Sequence, residues 1–193
     1  MPISAYQNGE LYGLKNSNGR IILDPVYESF EIYKEFICGR LKTNDDNEEI
    51  HYIDHSGDIL ANLNKTLPDT YYGAVIDAYP LNETLRVIIF RDWDSLELSG
   101  LTNEFGQLLI NAEYDEFDML PNGLVTAFHG AHYEEYDADY NELYGKKVFN
   151  RFFNLLSNSA LDDYEDDGCN SKLTLYFQNG DIIVTDWNGN IIR

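Results

Sequence analysis

The sequence predicts an all-β fold of antiparallel β-hairpin repeats, arranged as a meander, with one inserted helix. Three observations favour it: an internal copy at a constant offset of 87 residues, short apolar runs rich in Ile, Val, Leu and Phe, and glycines that separate these runs. With 44% hydrophobic and 14% aromatic residues, the 193-residue chain can form a packed core. We expect a single β-repeat domain made of two related halves, about 1–90 and 91–193.

The internal copy relates one hairpin to a second. The matched pairs are Gly13 with Gly100, Asn16 with Asn103, Gly19 with Gly106, and Tyr27 with Tyr114. Shorter echoes lie at residues 52–60 and 184–192. In each echo an apolar run leads through a polar stretch and a glycine into a second run, which is typical of two strands joined by a tight turn. Glycine supplies the positive φ that such turns need, so we expect matching turns at Gly19 and Gly106.

Further strand-like runs lie between these hairpins. They are rich in β-branched and aromatic residues and occupy residues 36–41, 85–90, 124–128 and 173–177. Asn179-Gly180 follows the last run, and Asn-Gly between apolar runs is a strong hairpin signal, so the C-terminal part is predicted as a meander. Residues 61–80, which contain two prolines, are predicted as a connection with a short helical turn.

One stretch has the spacing of a helix. Within residues 143–157, apolar side chains recur at intervals of three and four, at Val148, Phe149, Phe152, Phe153 and Leu156. The turn glycines are 38 residues apart in the first half (19 to 57) and 83 apart in the second (106 to 189). The second half is therefore predicted to carry an acidic insertion of about 45 residues, at about 129–172.

The first hairpin resembles the WG-repeat (KWG-type β-repeat) family. The resemblance is carried by Tyr12-Gly13-Leu14, Asn18-Gly19, Ile21-Ile22-Leu23, Pro25, Tyr27 and Phe30. The second copy departs from the family pattern, with Ser99 at the aromatic position and Ala112 at the proline position. The resemblance implies an all-β repeat architecture used for binding, and it carries over no catalytic residues.

The chain is strongly acidic, with 34 Asp and Glu against 13 Lys and Arg and a net charge of -21. Such a charge repels phosphate backbones and anionic lipids, so we expect no direct binding to nucleic acid or membrane. The two cysteines, Cys38 and Cys169, lie far apart, and the N-terminus has neither a basic start nor an apolar run. These features favour a reducing, cytoplasmic location.

Cations are missing from a long acidic stretch. Between Arg91 and Lys146, 54 residues contain thirteen Asp or Glu and no Lys or Arg. Tyrosines, which are enriched at binding interfaces, interleave with these carboxylates. We predict a partner-binding site of Tyr133, Glu134, Glu135, Tyr136, Asp137, Asp139 and Tyr140, with a rim of Asp162, Asp163, Asp166 and Asp167. The alternative is solvated acidic surface that keeps the protein soluble.

Catalytic and metal-binding motifs are missing from the sequence. It has no dinucleotide-binding glycine motif, phosphate-binding loop or serine-hydrolase elbow, so we expect no enzyme and no cofactor. A glycosidase remains a further alternative, because the separation of two carboxylates in space decides that chemistry. His51 and His55 are expected to be packing or surface residues.

A calcium site is also not expected. Asp163, Glu165, Asp167 and Gly168 match the first half of a calcium loop, but Thr174 replaces the glutamate that completes it.

The sequence therefore predicts a non-catalytic acidic protein that binds and blocks a basic partner. The specific hypothesis is an immunity protein for a bacterial nuclease toxin. A nuclease needs clustered Lys and Arg to hold a polyanion, and opposing carboxylates bind such a cluster. The alternative is a generic WG-repeat ligand-binding or scaffold module whose acidity serves solubility.

Overall fold

The computed structural model describes residues 2–43, 48–66, 73–92, 94–130, 145–167 and 172–192. Strands account for 63% of these residues and helix for 2%. The strands form antiparallel sheets in which consecutive strands of the chain are hydrogen-bonded neighbours. The predicted all-β fold of antiparallel hairpins is confirmed.

Three sheets follow each other in the first part of the chain. The first sheet contains β1 (Ile3–Asn8), β2 (Leu11–Asn16) and β3 (Ile21–Tyr27). The second contains β4 (Ser29–Ile32), β5 (Ile37–Lys42), β6 (Glu48–Ile53) and β7 (Ile59–Asn62). After the one-turn helix α1 (Leu63–Thr66), the third contains β8 (Gly73–Pro80), β9 (Leu85–Asp92), β10 (Glu97–Asn103) and β11 (Leu108–Tyr114).

Two further sheets follow in the second part. The fourth sheet contains β12 (Glu116–Met119), β13 (Val125–His129) and β14 (Gly145–Phe149). The fifth contains β15 (Leu161–Asp166), β16 (Lys172–Phe177) and β17 (Ile182–Asp186). The chain divides into two compact units, Met1–Ala112 and Glu113–Arg193. That the chain is one domain of two related halves stays a prediction.

The helix predicted within residues 143–157 is wrong. Residues Gly145–Phe149 form β14, which pairs with β13, and a tight turn follows at 150–154. The helical spacing arises because two buried strand residues, Val148 and Phe149, precede a turn that leaves Phe152 68% exposed. The helix α1 lies in the predicted connection 61–80, but residues Gly73–Pro80 of that connection form β8. In the described parts of the chain, no helix is long and apolar enough to cross a membrane.

The central strands of the second sheet, β5 and β6, are buried on both faces. Ile37 and Ile53 pack in a cluster with the first sheet, while the adjacent Cys38 and Tyr52 pack in a cluster with Ile88 of the third sheet. Successive residues of a strand lie on opposite faces, so the second sheet lies between the first and the third. Double burial explains why adjacent residues such as Ile37 and Cys38, or Tyr52 and Ile53, are both apolar or aromatic.

Cys38 is a small buried residue of the apolar core. It is a free thiol, 5% exposed. Burial is the main cause that raises its pKa to about 12, so the thiol stays protonated at neutral pH. Cys169 lies outside the described residues.

The same kind of turn occurs in each sheet, between the last two strands of the first three sheets and directly after the last strand of the fourth and fifth. Its first residue is always Asn or Asp, and the five positions are Asn16, Asp54, Asn103, Asn150 and Asp186. Each Oδ1 accepts hydrogen bonds from the backbone N–H groups two and four residues later, at 2.7–3.1 Å. The residue three positions on has a positive φ, at Gly19, Gly57, Gly106, Phe153 and Gly189. We name these turns repeat turns 1 to 5.

Repeat turn 4 is a further repeat that the internal copies in the sequence do not predict. Repeat turns 1 and 3 confirm the predicted match, with φ of 79° at Gly19 and 73° at Gly106. In repeat turn 4, Phe153 adopts a φ of 61° where the others have glycine. The extra spacing between Gly106 and Gly189 thus contains a whole further turn, together with strands β14 and β15 from the predicted insertion at 129–172.

Candidate functional site

Strand β15 carries the part of the predicted partner site that the structure describes. Asp162, Asp163 and Asp166 lie on this strand, and Asp167 follows it directly. The predicted centre lies outside the described residues: Tyr133, Glu134, Glu135, Tyr136, Asp137, Asp139 and Tyr140. The geometry of the candidate site is therefore that of β15 and its neighbours.

In the described structure, β15 is an edge strand. It pairs with β16 on one side, and none of the described strands pairs with its outer edge. Leu161 anchors the start of the strand by packing against the apolar core of the second unit. All residues from 162 to 167 are exposed. The backbone N–H and C=O groups of such an edge can pair with a strand of another protein.

Carboxylates lie on both faces of β15. A β-bulge near the start of the strand sets its register against β16. Asp163 and Glu165 share one face, where the hydroxyl of Tyr176 donates a 2.9 Å hydrogen bond to the Glu165 carboxylate. This hydrogen bond is the main cause that raises the pKa of Tyr176. Tyr164 and Asp166 lie on the other face, so a partner along the edge meets acidic groups on either side.

Three carboxylates of β15 have no cationic partner among the described residues. Among the described residues, no Lys or Arg forms an ion pair with Asp162, Asp163 or Glu165. The second unit contains 16 Asp and Glu against 5 Lys and Arg, a net charge of -11. The strand therefore lies in a strongly negative field.

Other acidic residues have structural roles that the sequence did not reveal. Asp92 accepts two backbone N–H hydrogen bonds at 2.9 Å within the turn between β9 and β10. Lys146 pairs with Asp118 at 3.9 Å, and Arg91 pairs with Glu97. Lys146 and Arg91, the cations at the two ends of the acidic stretch, thus pair with two of its carboxylates. The sequence alone does not show these ion pairs, because they depend on which strands are neighbours.

His51 and His55 occupy the packing and surface positions that the sequence predicts. His51 is buried, with Nδ1 3.0 Å from the Tyr27 hydroxyl and Nε2 3.2 Å from the Glu49 carboxylate. His55 is exposed in repeat turn 2. No group of three or more His, Cys, Asp or Glu within the described ranges is placed to hold a metal ion.

The first two acidic positions of the calcium-loop pattern do not lie in a loop. Asp163 and Glu165 lie in the extended strand β15, paired with β16, whereas a calcium loop wraps its first ligands around the ion.

Residues 12–35 match the family described as WG containing repeat. The chain carries a WG repeat. The match spans β2, repeat turn 1, β3 and β4, and it confirms the resemblance that the first hairpin predicts. No curated protein matches the chain.

The residues of the WG repeat have packing roles. A Cβ on Gly13 would lie 2.5 Å from the carbonyl oxygen of Leu23, so the close approach of β2 and β3 requires glycine. The ring of Tyr27 lies against Gly39, where a Cβ would be 2.9 Å from a ring carbon, and packs against Phe30 with 4.7 Å between ring centroids. The WG repeat is therefore a folding unit that supports a repeat module.

Proposed function

We propose that the protein is a non-catalytic binding protein that captures a basic protein through β15 and occludes its cationic site. The observation that carries this proposal is an exposed edge strand whose Asp162, Asp163 and Glu165 have no cationic partner among the described residues. The specific form is an immunity protein that neutralises a basic, nuclease-type bacterial toxin in the cytoplasm. Residues 133–140 are the centre of this interface that the sequence predicts.

Charge is the first source of affinity in this proposal. A nuclease holds its polyanionic substrate with clustered Lys and Arg. Hydrogen bonds between guanidinium and carboxylate groups are the strong, charge-assisted kind. Opposite fields also accelerate encounter, which matters for an inhibitor that competes with nucleic acid.

The backbone edge is the second source of affinity. A partner segment that adds a strand to β15 gains main-chain hydrogen bonds, and its alternate side chains give specificity. Because Asp163 and Glu165 share one face of β15, a partner strand with Lys or Arg at alternate positions would place cations opposite them. Basic segments that are extended and exposed therefore fit this edge.

A matched pair of variants tests the proposal. The edge variant combines Asp162→Asn, Asp163→Asn and Glu165→Gln, and the control variant combines Glu10→Gln, Asp24→Asn and Asp94→Asn, which are exposed residues of the first unit. Both sets remove the same charge. Binding and nuclease inhibition are measured against a panel of basic nuclease domains. We expect a bound domain whose affinity falls about tenfold or more with the edge variant and little with the control.

A negative result in this test would favour the alternative function, a WG-repeat module without an inhibitory role. If the edge variant binds and inhibits like the wild-type protein, or if no basic domain binds, β15 is not the binding surface and its acidity serves solubility. The protein would then be a WG-repeat ligand-binding or scaffold module without an inhibitory role. Activity of the isolated protein on a carbohydrate substrate would instead support the glycosidase alternative.

A further inference from the structure

A cleft of 420 Å³ lies between repeat turns 1 and 2, within the first unit. Arg20 of repeat turn 1 contributes a guanidinium group and His55 of repeat turn 2 an imidazole ring. Ile3, Ile21 and Ile22 contribute its aliphatic walls. Small-molecule sites have volumes of about 300–1,000 Å³ and combine apolar walls with a few polar groups, as this cleft does.

The walls of the cleft are held in place by the two turns. The backbone N–H of Arg20 donates to Asn16 Oδ1 at 3.0 Å, and its carbonyl accepts from the Asn16 N–H at 3.0 Å. Ile22 touches repeat turn 2 so closely that a Cβ on Gly57 would overlap its Cγ2 atom. The backbone of Arg20 and the side chain of Ile22 are therefore in place before a ligand binds.

Arg20 is the exception among the described arginines. Its guanidinium group has no ion pair, hydrogen bond or ring contact within the described residues, in a chain with 34 Asp and Glu. Arg40 and Arg91 pair with glutamates, Arg86 donates to backbone carbonyls, and Arg151 lies over an aromatic ring. The cleft thus contains an arginine whose backbone is fixed by repeat turn 1 and whose guanidinium group makes no hydrogen bond within the described residues.

The combination of two basic residues is specific to this pair of turns. Arg20 is the last residue of its turn, and His55 is the second residue of the next. In the corresponding pair, the last residue of repeat turn 4 is Asn154 and the second residue of repeat turn 5 is Trp187. The pairing of Arg20 with His55 is therefore a local feature and is not a requirement of the turn.

We propose that this cleft binds a single carboxylate attached to a short aliphatic group. The fork of the Arg20 guanidinium matches a carboxylate in two hydrogen bonds, and the three isoleucines cover the aliphatic part. Asp54 and Asp58 flank His55 in repeat turn 2, so a ligand with one negative charge is favoured over a phosphate dianion. A free aliphatic acid and the C-terminus of a peptide ending in Leu, Ile or Val share this chemistry.

Isoleucine-methyl NMR of the full chain tests the proposal with three probes: 4-methylpentanoate, an N-acetylated peptide ending in leucine with a free carboxylate, and its C-terminal amide. We expect saturable shifts of the Ile21 and Ile22 methyl signals with at least one carboxylate probe and none with the amide. Arg20→Gln should weaken binding about tenfold, since a hydrogen bond to a charged group is lost. Arg91→Gln, which changes an exposed arginine elsewhere in the same unit, should leave it unchanged.

The result also identifies the source of the ligand. Tighter binding of the acid indicates a small metabolite, and tighter binding of the peptide indicates a protein C-terminus. Unperturbed methyl signals of the buried Ile88 and Ile110 would show that Arg20→Gln is folded. The proposal is overturned if neither carboxylate shifts the cleft signals, if the amide binds equally, or if folded Arg20→Gln binds like the wild-type protein.

Discussion

One side-chain oxygen in each repeat turn satisfies two backbone N–H groups. At Asn16, for example, Oδ1 accepts from the N–H groups of Asn18 and Arg20, both at 3.0 Å. Asn and Asp supply this oxygen equally well, which explains why both occur at the first position of the turns. They differ in that only the carboxylate titrates, so part of the acidity of the chain is structural.

The titration of Asp54 and Asp186 predicts a loss of stability in acid. Burial raises the pKa of Asp54, but hydrogen bonds from backbone N–H groups and Ser56 lower it below the usual 3.8. The Asn190 side chain and backbone likewise lower the pKa of Asp186. A carboxyl with a lowered pKa in the folded state stabilises it above about pH 4, and that stability is lost as the pH falls through the folded value.

Replacing both residues by Asn should remove this contribution while keeping the turns. Wild-type protein should therefore lose more stability between about pH 5 and pH 3 than Asp54→Asn with Asp186→Asn. Urea unfolding at both pH values measures the difference. Equal losses in the two proteins would show that these carboxylates are not the source of the acid sensitivity.

Two turn glycines should differ in their tolerance of a side chain. Gly19 has a φ of 79° and open space around it, so Gly19→Ala should cost about 1 kcal/mol from backbone strain alone. Gly57 has a φ of 96°, and a Cβ there would overlap Ile22. Gly57→Ala should therefore cost about 2 kcal/mol or more, because a steric cost is added. Urea unfolding at neutral pH compares them, and equal costs would contradict the close contact of Ile22 with repeat turn 2.

At the scale of elements, repeat turn 4 shows where prediction from the sequence stops. The other four repeat turns have glycine at the position of positive φ, and the glycine pattern found them. Phe153 takes that position in repeat turn 4, and apolar residues on either side of it imitate a helix. Pairing of β14 with β13 decides the structure here, and local sequence patterns do not contain this pairing.

The candidate site was accessible to sequence analysis only in part. The acidity of residues 162–167 is evident from composition, but their location on an edge strand depends on which strands pair. The contact of Glu165 with Tyr176 depends on the register of β15 with β16. The roles of Asp162, Asp163, Asp166 and Asp167 in partner binding stay predictions.

The same edge carboxylates should keep copies of the protein apart. Natural proteins use charged residues to prevent edge strands from pairing with one another. The edge variant should therefore form more dimers and larger species at high concentration than the control variant. Sedimentation velocity over a concentration series measures this. Identical sedimentation of the two variants would show that the β15 carboxylates have no part in limiting self-association.

The charge of the whole molecule is shared by both units. The first unit contains 18 Asp and Glu against 8 Lys and Arg, for a net charge of -10, and the smaller second unit carries -11. A negative field attracts a basic partner. Salt screens this attraction, and the Debye length is about 8 Å at physiological ionic strength. Association should therefore be fast at low salt and should slow as salt is added.

The salt dependence of the association rate tests the proposed role of β15 most directly. The rate constant for binding to a basic nuclease domain is measured by stopped flow from about 20 mM to about 300 mM salt for wild-type protein, the edge variant and the control variant. The edge variant should associate more slowly and show a shallower salt dependence than the control variant of equal charge. A rate that does not respond to salt, or equal rates and slopes for the two variants, would contradict capture of a basic partner by this strand.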